Sequence, residues 1–243
     1  MGKLDEAVIV VSGGSRGIGA QISRTLAAEG ARVVIGDVLD TDGSALAEQI
    51  GGLFVHLDVT DPDDWSALID RATSTFGTIT GLVNNAGVVG FTPVGATTLE
   101  EWNRIISINL TGVFLGMEAV VPALKDAGGG VIVNISSTAG LQGYSNLAAY
   151  VASKWGVRGL TKAAALDLGP DGIRVVSIHP GGIRTPMTAG LDEKAYSRQP
   201  IARIGEPEEI AKLALFLIAD ATYSTGTEFI ADGGATVGQV LRV

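Results

Sequence analysis

The sequence contains no cysteine, which excludes disulfides, thiolate metal sites and cysteine nucleophiles. It has only two histidines, and no His, Asp and Glu cluster has metal-ligand spacing, so no catalytic metal is expected. No apolar run reaches the ~18 residues of a membrane span. Residues 1–6 carry no apolar targeting stretch, and Gly2 lacks the Ser or Thr of a myristoylation signal. The expectation is a soluble, cytoplasmic protein with no membrane partner. Basic residues are in deficit: 17 Lys plus Arg against 26 Asp plus Glu give a formal net charge of −9. Such a body repels phosphate backbones and argues against nucleic-acid binding, but not against a small anionic cofactor held by backbone amides. Prolines number 8 and glycines 34, with no three-residue period, so collagen is excluded and the glycines serve turns or close backbone contacts. With 46% hydrophobic and 18% charged residues over 243 positions, the chain is not disordered.

Short β-branched runs alternate with longer helical patterns. Strands are expected at residues 7–11, 31–36, 53–57, 80–83, 131–135, 173–178 and 227–230. Helices are expected from Ile18, Ile22 and Leu26, at 44–50, after the Asp61-Pro62 cap, and at 99–124, 150–168 and 207–219. This alternation predicts an α/β fold: a doubly wound parallel sheet of seven strands with helices on both faces, in one domain over 1–243. The one long irregular stretch, about 182–205, is expected to form a substrate loop.

Ser12-Gly13-Gly14-Ser15-Arg16-Gly17-Ile18-Gly19 joins the first strand to the first helix. Glycines at 13, 17 and 19 would open the helix N-terminus to a pyrophosphate. The spacing departs from the usual G-x-G-x-x-G fingerprint and is weak alone. Asp37 ends the second strand 18 residues after Gly19, near the ~20 expected for the acid that binds an adenosine ribose. A carboxylate there accepts from a 2′-hydroxyl and repels a 2′-phosphate, so NAD is predicted over NADP; Arg16, a basic loop residue, pulls the other way. The same stretch matches G-x-S-x-G, the nucleophile elbow of serine hydrolases, with His179 available as a base. Its place after the very first strand argues against hydrolysis.

Tyr150 and Lys154 lie one helical turn apart on one face. A nearby ammonium favours the phenolate and lowers a phenol's pKa, which suits proton exchange with an alcohol or ketone. Ser137, just beyond the fifth strand, could hold the substrate oxygen beside the phenol. His179 and His56 read as structural. Asp63-Asp64 and Glu208-Glu209 oppose helix dipoles and are not an acid/base pair.

Together these pieces resemble the short-chain dehydrogenase/reductase family over nearly the whole chain. The matching motifs are Gly13-x-x-x-Gly17-x-Gly19, Asp58-Val59, Asn84-Asn85-Ala86-Gly87, Asn109 within 107–112, Ser137, Tyr150-x-x-x-Lys154, His179-Pro180-Gly181 and Asp232-Gly233-Gly234. The departures are Ser12 where threonine is common and Val176 where asparagine is frequent. The resemblance implies Tyr150 as general acid/base, Ser137 orienting the substrate oxygen, Lys154 binding the nicotinamide ribose and tuning Tyr150, and Asn109 holding a relay water. It implies that Gly13, Ser15, Arg16, Gly17, Ile18 and Gly19 cradle the cofactor. Asp58 and Val59 would meet the adenine, Asn85, Ala86 and Gly87 the adenosine side, and Ile183 and Thr185, beyond Pro180 and Gly181, the carboxamide.

Within the family the chain is most similar to bacterial 3α/20β-hydroxysteroid and secondary-alcohol dehydrogenases. The implied substrate is a small hydrophobic secondary alcohol or ketone, walled by Val89, Phe91, Leu141, Tyr144, Leu147, Met187, Leu191 and Tyr196. Two alternatives stay open: a 3-oxoacyl-carrier-protein reductase, for which Arg184, Lys194, Arg198 and Arg203 would supply a basic patch, and a non-catalytic dinucleotide sensor. The family also implies a homotetramer, with Gly156, Gly159, Ala163, Ala164 and Ala165 permitting close approach of another subunit.

Overall fold

All five residues of β1 (Val8–Ser12) are buried, and their side chains alternate between two cores: Val8 and Val10 enter one, Ile9 and Val11 the other. A strand with two dry faces needs helices on both sides. The computed structural model, which describes residues 2–190, 193–238 and 240, supplies them. Along the chain follow α1 (Gly17–Ala28), β2 (Arg32–Asp37), α2 (Asp40–Ile50), β3 (Leu53–His56), α3 (Pro62–Phe76), β4 (Gly81–Asn84) and α4 (Leu99–Ile106). Then come α5 (Gly112–Asp126), β5 (Gly130–Ile135), α6 (Ala148–Leu168), β6 (Ile173–Pro180), α7 (Pro207–Ala219) and β7 (Glu228–Ala231). The seven strands are all parallel, in the order β3-β2-β1-β4-β5-β6-β7. Ile22, Leu26, Leu46, Ile210 and Leu217 place α1, α2 and α7 on one face. Trp65, Leu68, Val113, Val120 and Val157 place α3, α5 and α6 on the other.

Local chemistry explains several boundaries. The Asp61 carboxylate accepts the Asp63 N–H at 2.9 Å with Pro62 as first helical residue, so α3 starts where its cap predicts. Gly30 adopts a φ of +94° and closes α1 through an N–H donated to the Ala27 carbonyl. The second helix begins at Asp40, four residues before the sequence reading, because Asp40 and Asp42 suit the positive end of a first turn.

The apolar pattern expected as one helix over 99–124 is two helices joined by a π-helical turn, Ser107–Thr111. Buried Ile105, Asn109, Val113 and Met117 recur every four residues, a longer step than the ~3.6 of a regular helix. The extra residue keeps all four facing inward. By length and composition the stretch Leu99–Asp126 could cross a membrane. Here its apolar stripe packs against the sheet, with Val113, Met117, Val120 and Leu124 in the core.

β2 and β4 flank β1 on opposite sides, so the chain leaves β1 in one direction and returns past it in the other. A crevice opens at the carboxyl ends of such strands, and there the turns after β1 and β4 meet.

Candidate active site

The two turns are tied by Ser12 and Asn85. The Ser12 hydroxyl accepts the main-chain N–H groups of Asn85 and Ala86 at 3.1 and 3.3 Å. The Asn85 amide donates to the carbonyls of Ser12 and Gly13 at 3.1 and 2.8 Å. Between them opens a cleft of about 590 Å³. Gly13 and Gly17, with φ of +61° and +56°, and Arg16 and Ile18 line it. The structure thus separates the glycines. Gly19 lies behind the turn, where a Cβ would come 2.1 Å from the Gly13 carbonyl oxygen, so it serves close packing. Ser15 is also buried away from the wall, reaching Asp37 through its main chain.

Asp37 lines the far end of the cleft. Its carboxylate accepts the N–H groups of Ser15 and Leu39 at 3.0 and 3.1 Å, and each oxygen keeps acceptor capacity for a further donor. Arg16 forms an ion pair with Asp42 at 2.5 Å. Asp58, Val59, Ala86 and Gly87 complete this wall. Trp65 fixes Val59 by donating Nε1–H to its carbonyl at 3.0 Å. Val38 and Leu39, which no motif in the sequence marks, add an apolar edge. His56 stands outside on the surface, paired with Asp40 at 2.7 Å.

At the other end Tyr150, Lys154 and Ser137 come together on one wall. The Lys154 ammonium donates to the Ile135 carbonyl at 2.9 Å and lies 5.6 Å from the centroid of the Tyr150 ring. Burial lowers its pKa to about 8. The phenol differs from the expectation. Burial holds Tyr150 above its ordinary value, a hydrogen bond with Ser137 pulls it back, and neighbouring Tyr144 adds to the rise. The ammonium is committed to a carbonyl and lies over the ring, so the protein's own groups leave the phenol protonated at neutral pH.

Ser137 is held by its main chain. Its carbonyl accepts Nδ1–H of His179 at 3.0 Å, and the His179 Nε2 then accepts the Ser177 hydroxyl at 2.9 Å. That pairing fixes the tautomer. His179 is fully buried, and burial lowers its pKa. Pro180 and Gly181 end β6 on the cleft wall. Ile183 and Thr185 follow, steadied by Thr188, whose hydroxyl donates to the Ile183 carbonyl at 2.6 Å and accepts the Thr185 N–H at 3.0 Å.

Asn109 is buried with both its donors and its oxygen hydrogen-bonded. Its Oδ1 accepts the Val88 N–H at 2.8 Å, and its Nδ2 donates to the Val88 carbonyl and the Ser153 hydroxyl at 2.9 and 3.2 Å. It braces the β4 turn behind Lys154 rather than lining the cleft.

Of the eight residues expected to wall a substrate pocket, only Met187 lines this cleft; Leu191 lies outside the described residues. Tyr144 instead donates to Thr138 at 2.9 Å and accepts from Gln142 at 2.7 Å, a polar group beside Tyr150. In the expected basic patch, Arg184 pairs with Glu206 at 3.1 Å and Arg203 with Glu209 at 2.8 Å. Gly156 packs within its own chain, since a Cβ there would meet Leu110 at 2.7 Å, whereas Gly159 faces open space.

A parallel doubly wound sheet with a glycine turn, an acid ending β2 and a Tyr-x-x-x-Lys helix at one crevice defines a class of nicotinamide-dependent oxidoreductases. Residues 13–236 match the family profile described as Enoyl-(Acyl carrier protein) reductase. The chain is 50% identical over 252 residues to trans-4-hydroxycyclohexanecarboxylate dehydrogenase of Sinomonas cyclohexanicum, covering 99% of this chain and 96% of that one. It is 49% identical over 240 residues to 3-alpha-(or 20-beta)-hydroxysteroid dehydrogenase of Mycobacterium tuberculosis, covering 98% and 92%. To cyclohexanol dehydrogenase of an Acinetobacter species it is 40% identical over 244 residues, covering 96% of each. The chain belongs to the short-chain dehydrogenase/reductase family, whose enzymes generally use NAD(P).

Proposed function

We propose that this enzyme interconverts a hydrophobic cyclic secondary alcohol and its ketone, with NAD as coenzyme and Tyr150 as the proton-exchanging group. The observation that carries the reading is the meeting of Tyr150, Ser137 and Lys154 on the wall of the cleft whose other end holds Asp37.

The cleft suits an adenine dinucleotide. Gly13 and Gly17 keep side chains off the α1 N-terminus, and about 590 Å³ is in the range of cofactor pockets, ~300–1,000 Å³. When bound, the dinucleotide supplies the hydride acceptor and a positive charge near the phenol. The chain's own residues do the rest. Ser137 Oγ donates to the substrate oxygen. Tyr150 Oη takes the hydroxyl proton in oxidation and returns it in reduction. Lys154 donates to the nicotinamide ribose; because the protein's own groups hold Tyr150 protonated, the phenolate that oxidation needs would be favoured by the bound cofactor's positive charge. Asp37 accepts from the adenosine ribose, Asp58 and Val59 face the adenine, and Asn85 fixes the adenosine-side wall. Ile183 and Thr185 offer groups to the carboxamide from the loop at 182–205. Asn109 commits both Nδ2 donors to Val88 and Ser153 but keeps one acceptor site on Oδ1, and would hold a relay water between Lys154 and solvent.

Relatives named for cyclohexanol, hydroxysteroid and hydroxycyclohexanecarboxylate oxidation support a ring-bearing substrate. The pairing of Arg184 and Arg203 with glutamates weakens the case for an acidic carrier-protein partner. Exposed Phe114, Trp155 and Leu166 on α5 and α6 support a homotetramer joined through those helices. The test is a set of initial rates with cyclohexanol, a 3α-hydroxysteroid and acetoacetyl thioester, each with NAD(H) and NADP(H). The expected result is fastest turnover of a cyclic alcohol with NAD. Faster NADPH-linked reduction of the thioester would replace the substrate and coenzyme reading, and dinucleotide binding without turnover of any substrate would indicate a sensor.

A further inference from the structure

We propose that Asp42 is a specificity determinant for the coenzyme. By holding the Arg16 guanidinium, it withholds from the adenosine end of the cleft the cation that would otherwise receive a ribose 2′-phosphate. The inference rests on the dinucleotide reading above and goes beyond Asp37, which acts by direct repulsion.

Arg16 and Lys154 are the basic residues lining the cleft among those described, and Lys154 sits at the end opposite Asp37, on the Ile135 carbonyl. The adenosine end therefore has one cation, Arg16, beside two acids, Asp37 and Asp58. Asp42 lies in the first turn of α2, off the cleft wall, and takes the Arg16 head group at 2.5 Å. The packing brings them within reach. Gly43 lets α2 close onto the glycine turn, since a Cβ there would come 2.7 Å from the Ser15 hydroxyl and 2.2 Å from the Phe54 ring.

Two acids of the β2–α2 corner thus act on consecutive turn residues. Asp37 fixes Ser15 by its N–H at 3.0 Å, and Asp42 neutralises Arg16. A phosphate monoester brings about −1.5 to −2 charges at neutral pH. To be accommodated it must face Asp37 without a counter-charge or draw Arg16 off Asp42. A ribose 2′-hydroxyl makes neither demand.

The test is a double-mutant cycle read by binding. NADH and NADPH dissociation constants are measured by coenzyme fluorescence for wild type, Asp42→Asn, Arg16→Ala and the double variant, with Asp42→Ser as a second replacement that keeps a first-turn oxygen. The expected result is NADPH binding about 2–5-fold tighter in both Asp42 variants, NADH binding unchanged, and no such gain without Arg16. An unchanged NADPH/NADH ratio in both Asp42 variants, or an equal change with and without Arg16, overturns the proposal. The wild-type preference is a separate readout. NADPH preference with the Arg16-dependent coupling intact rejects the NAD reading alone, and NADH preference without coupling rejects the Asp42 assignment alone.

Discussion

The Lys154 ammonium lies 5.6 Å from the centroid of the Tyr150 ring while donating to the Ile135 carbonyl at 2.9 Å. The lysine is thus a buried cation held, among the described residues, by one neutral acceptor, a costly arrangement that points to use rather than stability.

A pKa of about 8 for Lys154 in the fold, against 10.5 for the free side chain, costs the native state on the order of 3 kcal/mol at neutral pH. Between about pH 8 and 10 the unfolded chain binds the proton and the folded chain does not, so this cost is relieved as pH rises. Lys154→Met should therefore raise the melting temperature at pH 7, with an advantage over wild type that shrinks towards pH 10. NADH affinity should fall in the same variant. A stability difference that stays flat with pH would show that the lysine is not strained by burial.

His179 offers a second titration with the same direction. Its pKa is lowered by burial, so protonation destabilises the fold. The contribution is whole above the unfolded value of ~6.5 and is lost as pH falls below it. His179→Leu leaves the Ser137 carbonyl and Ser177 hydroxyl without this partner, at about 1–3 kcal/mol. Unfolding in denaturant measures the loss. The same variant should lower kcat through Ser137 while leaving the NADH dissociation constant within about twofold.

Gly19→Ala should disrupt the turn after β1, because the new methyl would meet the Gly13 carbonyl at 2.1 Å. Overpacking against backbone costs about 1–3 kcal/mol or more. Thermal melting should show a drop of several degrees and NADH fluorescence a weakened complex. Gly95→Ala, where a Cβ meets nothing within 4 Å, should leave both unchanged.

Much of the frame was legible because its signals are local. β-branched runs buried on both faces mark β1 and β6, and Asp61-Pro62 marks the start of α3. The residues that the cleft gathers were legible as short spacings, Gly13 to Gly17, Asp37 and Tyr150 to Lys154. What the sequence hid depends on three-dimensional partners. The π turn at Asn109 shows only as a four-residue burial step, readable once Ile105, Asn109, Val113 and Met117 are seen to point inward together. The role of Gly19 in packing, the Arg16–Asp42 pair and the raised Tyr150 pKa arise from burial and from neighbours that only the folded turns bring together. The expected substrate walls mostly lie off this cleft. Apolar residues near a site in sequence, such as Phe91 and Leu147, do not by that nearness line its cleft.

Tyr150→Phe tests the central claim most directly, measured as kcat for a cyclic alcohol with NAD and as NADH affinity by fluorescence on the same preparation. The variant keeps the ring beneath Lys154 and removes the hydroxyl that exchanges the proton. The account predicts a fall in kcat of about 10²–10⁴-fold with NADH affinity within about twofold of wild type. Turnover at the wild-type rate would contradict it.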